Sequence, residues 1–220
     1  MNIHIKNCEV NIINGTETLE ISGKAEPKTE IAGVIGTQRT YTLAGFMADK
    51  AAVQIGDRVK LPAFIVPETQ IDGESELNFK EMEIDEYAVL TGKDKNGFLL
   101  KFERAPFDSA VDLNGETDFS KTQLGRYLNG AFKSAMNGAG IPADDCRLIT
   151  KEEVFGENRL DFFKTGKNRV TFDTDEDCSR WCWLGTAYDE TDFCYVSDGG
   201  SASYHGAAGT RAVSPAFTIR

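Results

Sequence analysis

Two apolar segments, Arg180-Trp-Cys-Trp-Leu-Gly-Thr186 and Ala212-Val-Ser-Pro-Ala-Phe-Thr-Ile-Arg220, decide the fold of this chain. Short runs of this kind, rich in aromatic and aliphatic residues, are typical of core strands. The residues between them, 187–210, are mostly Tyr, Ser, Gly and Asp. This pattern predicts a long polar loop held between two core strands.

The loop has the composition of a recognition surface. Tyr supplies rigid amphipathic contact area, while Ser and Asp supply adaptable hydrogen bonds. An ordinary polar loop is rich in the same residue types, so both interpretations stay open. The candidate ligand-binding residues are Tyr188, Asp189, Asp192, Tyr195, Ser201, Ser203, Tyr204 and His205. All of them except Tyr195 are expected to be largely exposed on one side of the domain.

Length and charge limit the classes of partner. The chain has 220 residues and a formal net charge of −11, and it has no basic run of the kind that binds a phosphate backbone. It has no apolar run of the ~20 residues that a membrane helix needs, and no secretory signal is evident at its start. We therefore expect no nucleic-acid partner, no membrane insertion, and a location in a virion or in the host cytoplasm.

Helical periodicity is clearest over residues 121–137. Ser120 and Gln123 form a predicted capping box, Gly138 is the predicted C-terminal cap, and a second capping box, Thr150-Lys-Glu-Glu153, predicts a short helix. The apolar stripe of the first helix, which should face the core, consists of Leu124, Leu128, Phe132, Ala135 and Met136.

Strand signals come before the helix. Alternating apolar residues around Asn14-Gly15 and around residues 92–97 predict two hairpins, and Val59-Lys-Leu-Pro-Ala-Phe-Ile-Val66 predicts an edge strand with Pro62 at a bulge. Leu43, Phe46 and Met47 fit one face of a short helix. We divide the chain into a β-rich N-terminal region, 1–55, for attachment or homo-oligomerisation, and a second domain, 56–220.

Cysteine usage predicts reduced thiols without metal. The five cysteines are an odd number at irregular spacing, and the two histidines, His4 and His205, are far apart in sequence. The acidic segment 173–177 fits either a solvated loop or a calcium site, but Cys178 and Leu184 break the EF-hand pattern. No cofactor motif is present, and we expect neither a metal nor a cofactor.

With these elements, the chain from about Gly56 onward resembles the bacterial and phage domain family designated DUF6273. The family has a Leu-Asn-x-x-Phe helix end, an Ile/Leu-x-Thr-x-Glu-Glu turn, a Trp-Leu-Arg-Ser segment and a closing Val-Arg-Pro-Ala-Phe strand. The matching segments here are Tyr127-Leu-Asn-Gly-Ala-Phe132, Leu148-Ile-Thr-Lys-Glu-Glu153, Trp183-Leu-Gly-Thr186 and Val213-Ser-Pro-Ala-Phe217. Gly185 and Ser214 replace the two family arginines.

The resemblance implies an α+β, C-type lectin-like or formylglycine-generating-enzyme-like fold, with antiparallel sheets flanked by two helices and long C-terminal loops. Similar domains are the variable proteins of diversity-generating retroelements, whose diversified residues lie near the C-terminus. The resemblance thus favours a non-enzymatic, phage- or prophage-encoded protein that binds a cell-surface protein or glycan, with its N-terminal region contacting phage structural proteins.

Two alternative functions remain. The first is a structural or decoration component of a phage particle. The second is an oxidase like the formylglycine-generating enzyme, which requires a reactive cysteine. Cys178, Cys182 and Cys194 are the candidates, but their acidic neighbours would raise rather than lower a thiol pKa. We therefore expect that the protein is not an enzyme.

Overall fold

The computed structural model describes residues 9–10, 21–22, 38–66, 68–70, 78–95, 97–111, 116–174 and 178–220. The chain forms two units, residues 1–37 and residues 38–220. In the first unit, β1 (Glu9–Val10) pairs antiparallel with β2 (Ile21–Ser22), as the predicted N-terminal hairpin requires. The remainder of that hairpin, including its Asn14-Gly15 turn, lies outside the described residues.

The described part of the second unit has mixed α+β structure, with many strands, few helices and several sheets. Its strands are β3 (Thr40–Thr42), β4 (Arg58–Lys60), β5 (Phe64–Val66), β6 (Thr69–Gln70), β7 (Asn78–Phe79), β8 (Met82–Ile84), β9 (Tyr87–Asp94), β10 (Gly97–Phe102), β11 (Arg104–Ala105), β12 (Phe107–Ser109), β13 (Asp145–Arg147), β14 (Thr171–Asp173), β15 (Ser179–Arg180), β16 (Cys182–Ala187), β17 (Asp192–Val196), β18 (Ala202–Gly206), β19 (Arg211–Val213) and β20 (Ala216–Ile219). Its helices are α1 (Leu43–Ala48), α2 (Gln123–Tyr127), α3 (Lys133–Gly138) and α4 (Lys151–Phe155). Among the described residues, no helix has the length and apolar character to cross a membrane.

The second unit begins at Gln38, whereas the sequence-based boundary lies at residue 56. Residues 38–55 belong to this unit because β3 pairs in parallel with β4 and because the side chain of Phe46 in α1 is fully buried in the main core. Leu43 is buried beside it. The short helix predicted from Leu43, Phe46 and Met47 is therefore confirmed, but as part of the second unit.

A six-stranded sheet carries the closing strand in its interior. The strand order is β13-β20-β10-β9-β4-β3, and β20 pairs antiparallel with both β10 and β13. Strands β9 and β10 form the hairpin that was predicted around residues 92–97, with a register shift between Leu99 and Leu100. The predicted strand 59–66 is instead two strands, since β4 lies in this sheet and β5 pairs with β8. The segment containing Pro62 separates them.

The long helix starts and ends later than the sequence predicts. A 3₁₀ turn covers Phe119–Lys121, and Thr122 caps α2 by accepting a hydrogen bond from the Gly125 amide. The predicted Ser120–Gln123 capping box is therefore wrong. A π-helical turn over Leu128–Phe132 joins α2 to α3, and the residue with positive φ after α3 is Gly140 (φ 85°), not Gly138. The Thr150–Glu153 capping box is confirmed at the start of α4.

The segment predicted as one long loop contains two strands. Strands β17 and β18 form an antiparallel hairpin at the edge of a five-stranded sheet of order β12-β19-β16-β17-β18. The turn of the hairpin is closed by the Ser197 amide, which donates to the carbonyl of Ser201. Candidate ligand-binding residues on these strands must therefore follow strand alternation, with successive side chains on opposite faces.

Aromatic rings join the helix to the six-stranded sheet. Phe132, from the π-helical turn, lies 5.8 Å from Phe102 between ring centroids, and Phe102 lies 5.8 Å from Phe217 of β20. All three are fully buried. Trp183 of β16 is buried in the same core, as predicted, and its indole N–H donates to the carbonyl of Ser109. The core therefore holds the closing strand, the helix and the five-stranded sheet together.

We predict that Leu128→Ala lowers the free energy of unfolding by ~2–5 kcal/mol, because Leu128 is fully buried and the truncation leaves a cavity. Chemical denaturation measures this change. Ser134→Ala, on the exposed face of α3, is the control and should stay within about 0.5 kcal/mol of the wild type. Equal, small effects of the two substitutions would mean that the helix stripe does not face the core.

Candidate ligand-binding surface

Two tyrosines form a flat, exposed pair at the edge of the five-stranded sheet. The ring centroids of Tyr188 and Tyr204 are 3.8 Å apart, and the ring planes differ by 2°. Tyr188 is 52% exposed and Tyr204 is 50% exposed. The charges nearest to the pair belong to Asp189 and Asp192, which act on the Tyr204 hydroxyl. We call these four residues the tyrosine platform.

The Asp189 side chain fixes the turn that presents Tyr188. Its Oδ1 atom accepts hydrogen bonds from the amides of Thr191 and Asp192, both at 2.8 Å, and from the Thr191 hydroxyl. These amide donors hold the pKa of the Asp189 carboxyl below its ordinary value. The Tyr188 amide donates to the carbonyl of Asp192 at 2.8 Å. The turn is therefore negatively charged and locally ordered.

The Tyr188 hydroxyl also affects its partner. Electrostatic repulsion between the two phenol oxygens and the hydrogen bond between them raise the pKa of Tyr204 above the ordinary value. Tyr204 therefore stays neutral well above physiological pH. The platform offers ring surface and hydroxyl groups beside two carboxylates, which suits a ligand with hydroxyl groups or a positive charge.

The other candidate residues do not share this face. Tyr195 pairs with Ser203, and Phe193 pairs with His205, so alternation places Ser203 and His205 on the face opposite to Tyr204. Tyr195 is only 8% exposed. Ser201 is exposed but lies in the turn at the far end of the hairpin. The candidates thus divide into the tyrosine platform and a separate group.

The second unit also has a cavity of about 520 Å³, and none of the four platform residues lies in its wall. Ala187, the residue before Tyr188, lies in its wall. Polar groups enter it from four elements that are distant in sequence, and the volume is within the usual range for small-molecule sites. Its polar or charged lining residues are Thr117, Asp118, Ser120, Asn129, Asp145, Arg147, Thr150 and Thr186. Sequence reasoning did not find this cavity.

One position in the cavity wall needs a residue without a Cβ atom. Gly185 lies in this wall, where an added Cβ atom would come within 3.0 Å of the Leu148 carbonyl oxygen. Asn129 comes from the π-helical turn, a feature often found at functional sites. Its side-chain amide makes no hydrogen bond to any described residue, so it is available to a ligand.

An ion pair fixes the side of the cavity formed by β13 and α4. Arg147 donates to both carboxylate oxygens of Glu153, at 2.9 and 2.7 Å. Burial opposes ionisation of Glu153, but hydrogen bonds from Arg147 and Thr150 outweigh it, so the pKa of Glu153 lies below its ordinary value. The amide of Lys151 donates to the Thr186 hydroxyl at 2.9 Å. The start of α4 is thereby attached to β16.

The cysteines differ in exposure. Cys178 is exposed, whereas Cys146, Cys182 and Cys194 are buried. Burial raises the pKa of the Cys146 thiol far above its ordinary value, and burial also raises the pKa of Cys194. At neutral pH these two thiols stay protonated, and a protonated thiol is a poor nucleophile.

No set of three or more His, Cys, Asp or Glu side chains within the described ranges is arranged to hold a metal ion. The acidic segment 173–177 lies partly outside those ranges, since residues 175–177 are not described. Asp173 forms an ion pair with Arg180. Its carboxylate therefore has a structural role in joining β14 to β15.

No model of a known protein family, no curated protein sequence and no solved structure matches this chain.

We predict that Glu153→Gln lowers stability at neutral pH and that this loss shrinks in acid. A carboxyl whose pKa is lower in the folded state contributes stability above its unfolded pKa, here 4.5, and loses it as pH falls through the folded value. Denaturation midpoints of the wild type and the variant should therefore converge below pH 4.5. Glu152→Gln, at the exposed neighbouring position, is the control. A stability difference that does not change with pH would contradict this role.

We predict that iodoacetamide at neutral pH modifies Cys178 first, and that Cys146 and Cys194 react only after unfolding, because burial raises the pKa of both thiols. Peptide mass spectrometry over a time course gives the order. Modification of Cys194 in the folded protein as fast as that of Cys178 would contradict the prediction.

Proposed function

We propose that this chain is a non-enzymatic recognition protein that binds a cell-surface protein or glycan through the tyrosine platform and the cavity. The observation that carries the proposal is the coplanar, half-exposed pair of Tyr188 and Tyr204. Ala187, which directly precedes Tyr188, lies in the wall of this polar-lined cavity of about 520 Å³. Exposed tyrosines are among the side chains that dominate binding energy. Their stacking removes rotamer freedom before the ligand arrives, which lowers the entropic cost of binding.

The resemblance to the DUF6273 family supports the same site. Three of its four sequence motifs contribute to the wall of the cavity: Asn129 from the first, Leu148 and Thr150 from the second, and Gly185 and Thr186 from the third. We propose a C-type lectin-like fold for residues 38–220 on this basis, with the closing strand β20 inside the main sheet. A surface built from motifs so distant in sequence is a reasonable place for a shared function.

Ser214 and Gly185, which stand where the family has arginines, make contacts of their own. Ser214 is buried, and its hydroxyl donates to the carbonyl of Phe102 at 2.8 Å. Gly185 donates its amide to the carbonyl of Ile149 at 2.9 Å. We infer that the Ser214 hydroxyl and the Gly185 amide hold the chain where the family uses arginine side chains, and that the lack of a side chain at Gly185 leaves more of the cavity for a ligand.

The oxidase alternative has less support. A nucleophilic thiol needs access to its substrate and a lowered pKa. Of the candidates, Cys182 and Cys194 are buried, and burial raises the pKa of Cys194. A structural or decoration role in a phage particle would explain a polar, solvent-exposed edge of the sheet. It gives no reason for two tyrosines to be stacked and exposed together. We therefore favour recognition, with the N-terminal region attaching the domain to a larger assembly, such as a phage particle.

We predict that Tyr188→Ala with Tyr204→Ala abolishes binding to a cell or glycan that the wild type binds, identified on a glycan array and a panel of bacterial strains. Both rings are half exposed, so the melting temperature should change little. Ile65→Ala is the control, because Ile65 is 58% exposed on β5 and belongs to neither the platform nor the cavity. It should bind as the wild type does.

If the double variant folds and still binds, the recognition surface lies outside the tyrosine platform. A variant that unfolds would show that the tyrosines contribute to the core. Tyr188→Phe with Tyr204→Phe separates the two contributions of the platform, because it retains the rings and removes only the hydroxyl groups. Loss of binding in this variant would assign the main contribution to hydrogen bonding.

A further inference from the structure

The face of the five-stranded sheet opposite to Tyr204 has an exposed tryptophan of its own. Trp181 is 45% exposed, and its ring stacks on Tyr195 with centroids 5.6 Å apart and an interplanar angle of 22°. The guanidinium carbon of Arg211 lies 5.1 Å from the centroid of Trp181 and 5.6 Å from that of Tyr195. We call these three residues the arginine–tryptophan patch.

Strand register places the patch on one face. Trp183 pairs with Tyr195, and Cys182 pairs with Ala212. Because side chains alternate along a strand, Trp181 and Arg211 lie on the same face as Tyr195, and Tyr204 lies on the other. Ser203, the partner of Tyr195 in β18, extends this face to the sheet edge. The patch and the tyrosine platform are therefore separate surfaces.

Arg211 lacks the carboxylate partner that several other arginines of this protein have. Arg58, Arg147 and Arg180 each form ion pairs with carboxylates. Within the part of the chain that the structure describes, no carboxylate lies within ion-pair distance of Arg211. Its Nη1 atom donates to the carbonyl of Thr210, and its Nε atom is buried without a hydrogen-bond partner.

The aromatic rings hold this guanidinium in place before any ligand binds. Arg211 also lies 5.8 Å from the centroid of the buried Trp183, so three rings restrict its side chain. An arginine stacked on aromatic rings retains free in-plane donors and binds carboxylates with two parallel hydrogen bonds. The guanidinium is thus preorganised and has no carboxylate partner among the described residues, in a chain with 35 acidic residues.

We propose that the arginine–tryptophan patch binds a polypeptide segment that presents a glutamate or aspartate beside an apolar side chain. The carboxylate pairs with the guanidinium of Arg211, and the apolar side chain covers the exposed ring of Trp181. Trp, Tyr and Arg are the residue types most enriched at the energetic centres of protein interfaces, which favours a protein partner over a glycan. This surface is independent of the tyrosine platform.

Two isosteric peptides test the proposal, acetyl-Leu-Glu-Leu-amide and acetyl-Leu-Gln-Leu-amide. The readout is the NMR shift of the Trp181 indole N–H, assigned with Trp181→Phe. The glutamate peptide should bind about tenfold more tightly than the glutamine peptide, as expected for a charge-assisted hydrogen-bonded pair. Arg211→Gln should abolish this preference. Arg169→Gln, another arginine over an aromatic ring, should retain it.

Equal affinity for the two peptides, no binding of either, or an unchanged glutamate preference in Arg211→Gln would overturn the proposal. Inorganic phosphate that competes as well as the glutamate peptide would also overturn it, because the site would then bind anions generally. If Arg211→Gln does not fold, Arg211→Lys retains the charge and the stem but not the bidentate geometry, and it should weaken glutamate binding several-fold. The Tyr188→Ala with Tyr204→Ala variant should bind both peptides as the wild type does, which separates this proposal from the recognition function.

Discussion

The packing of Phe132 against Phe102 and Phe217 is the contact on which the rest of the second unit depends. Phe217 belongs to a closing strand that is hydrogen-bonded on both sides, so its burial fixes β10, β13 and the helix at the same time. Protein interiors are close-packed and transmit changes in volume. The cavity wall formed by β13 and the π-helical turn is therefore set by the same aromatic cluster.

A second consequence concerns the five-stranded sheet. Trp183 anchors the inner face of this sheet, because its indole N–H donates a hydrogen bond to the Ser109 carbonyl and its ring packs into the main core. Strand β18, at the edge of the sheet, contributes little to that core. Functional side chains can vary at such an edge at low cost to folding, since loops and edges on a rigid scaffold commonly carry recognition. The tyrosine platform lies at this edge, whereas the arginine–tryptophan patch lies on the opposite face of the sheet, at β19, at the start of β16 and in β17.

Sequence patterns predicted the helices and hairpins whose formation depends mainly on neighbouring residues. Alternation found the hairpin of β9 and β10, and the apolar stripe found the helix, but Thr122 rather than Ser120 caps it because the chain first forms a 3₁₀ turn. The hairpin of β17 and β18 was missed because its ends carry Asp192, Ala202 and Gly206, which have low strand propensity, and strand pairing overrides that propensity. The π-helical turn had no recognisable sequence signal.

For the candidate sites, too, the sequence predicted some residues but not the way the fold brings them together. Composition identified Tyr188 and Tyr204, but the faces of the sheet depend on register, which composition does not contain. The cavity and the arginine–tryptophan patch bring together residues from strands distant in sequence, as with Trp181 and Arg211. A single sequence read segment by segment has no signal for such contacts. Gly185 was visible in the sequence, but its place in the cavity wall was not.

Native-state hydrogen exchange tests the central claim that a rigid core displays a separable recognition edge. The account predicts that amides of β10 and β20 exchange only through global unfolding, whereas amides of β18 exchange through local opening of lower free energy. Denaturant dependence of the exchange distinguishes the two routes. If β18 exchanges with the same free energy and denaturant dependence as β20, the edge is an integral part of the core, and the account is contradicted.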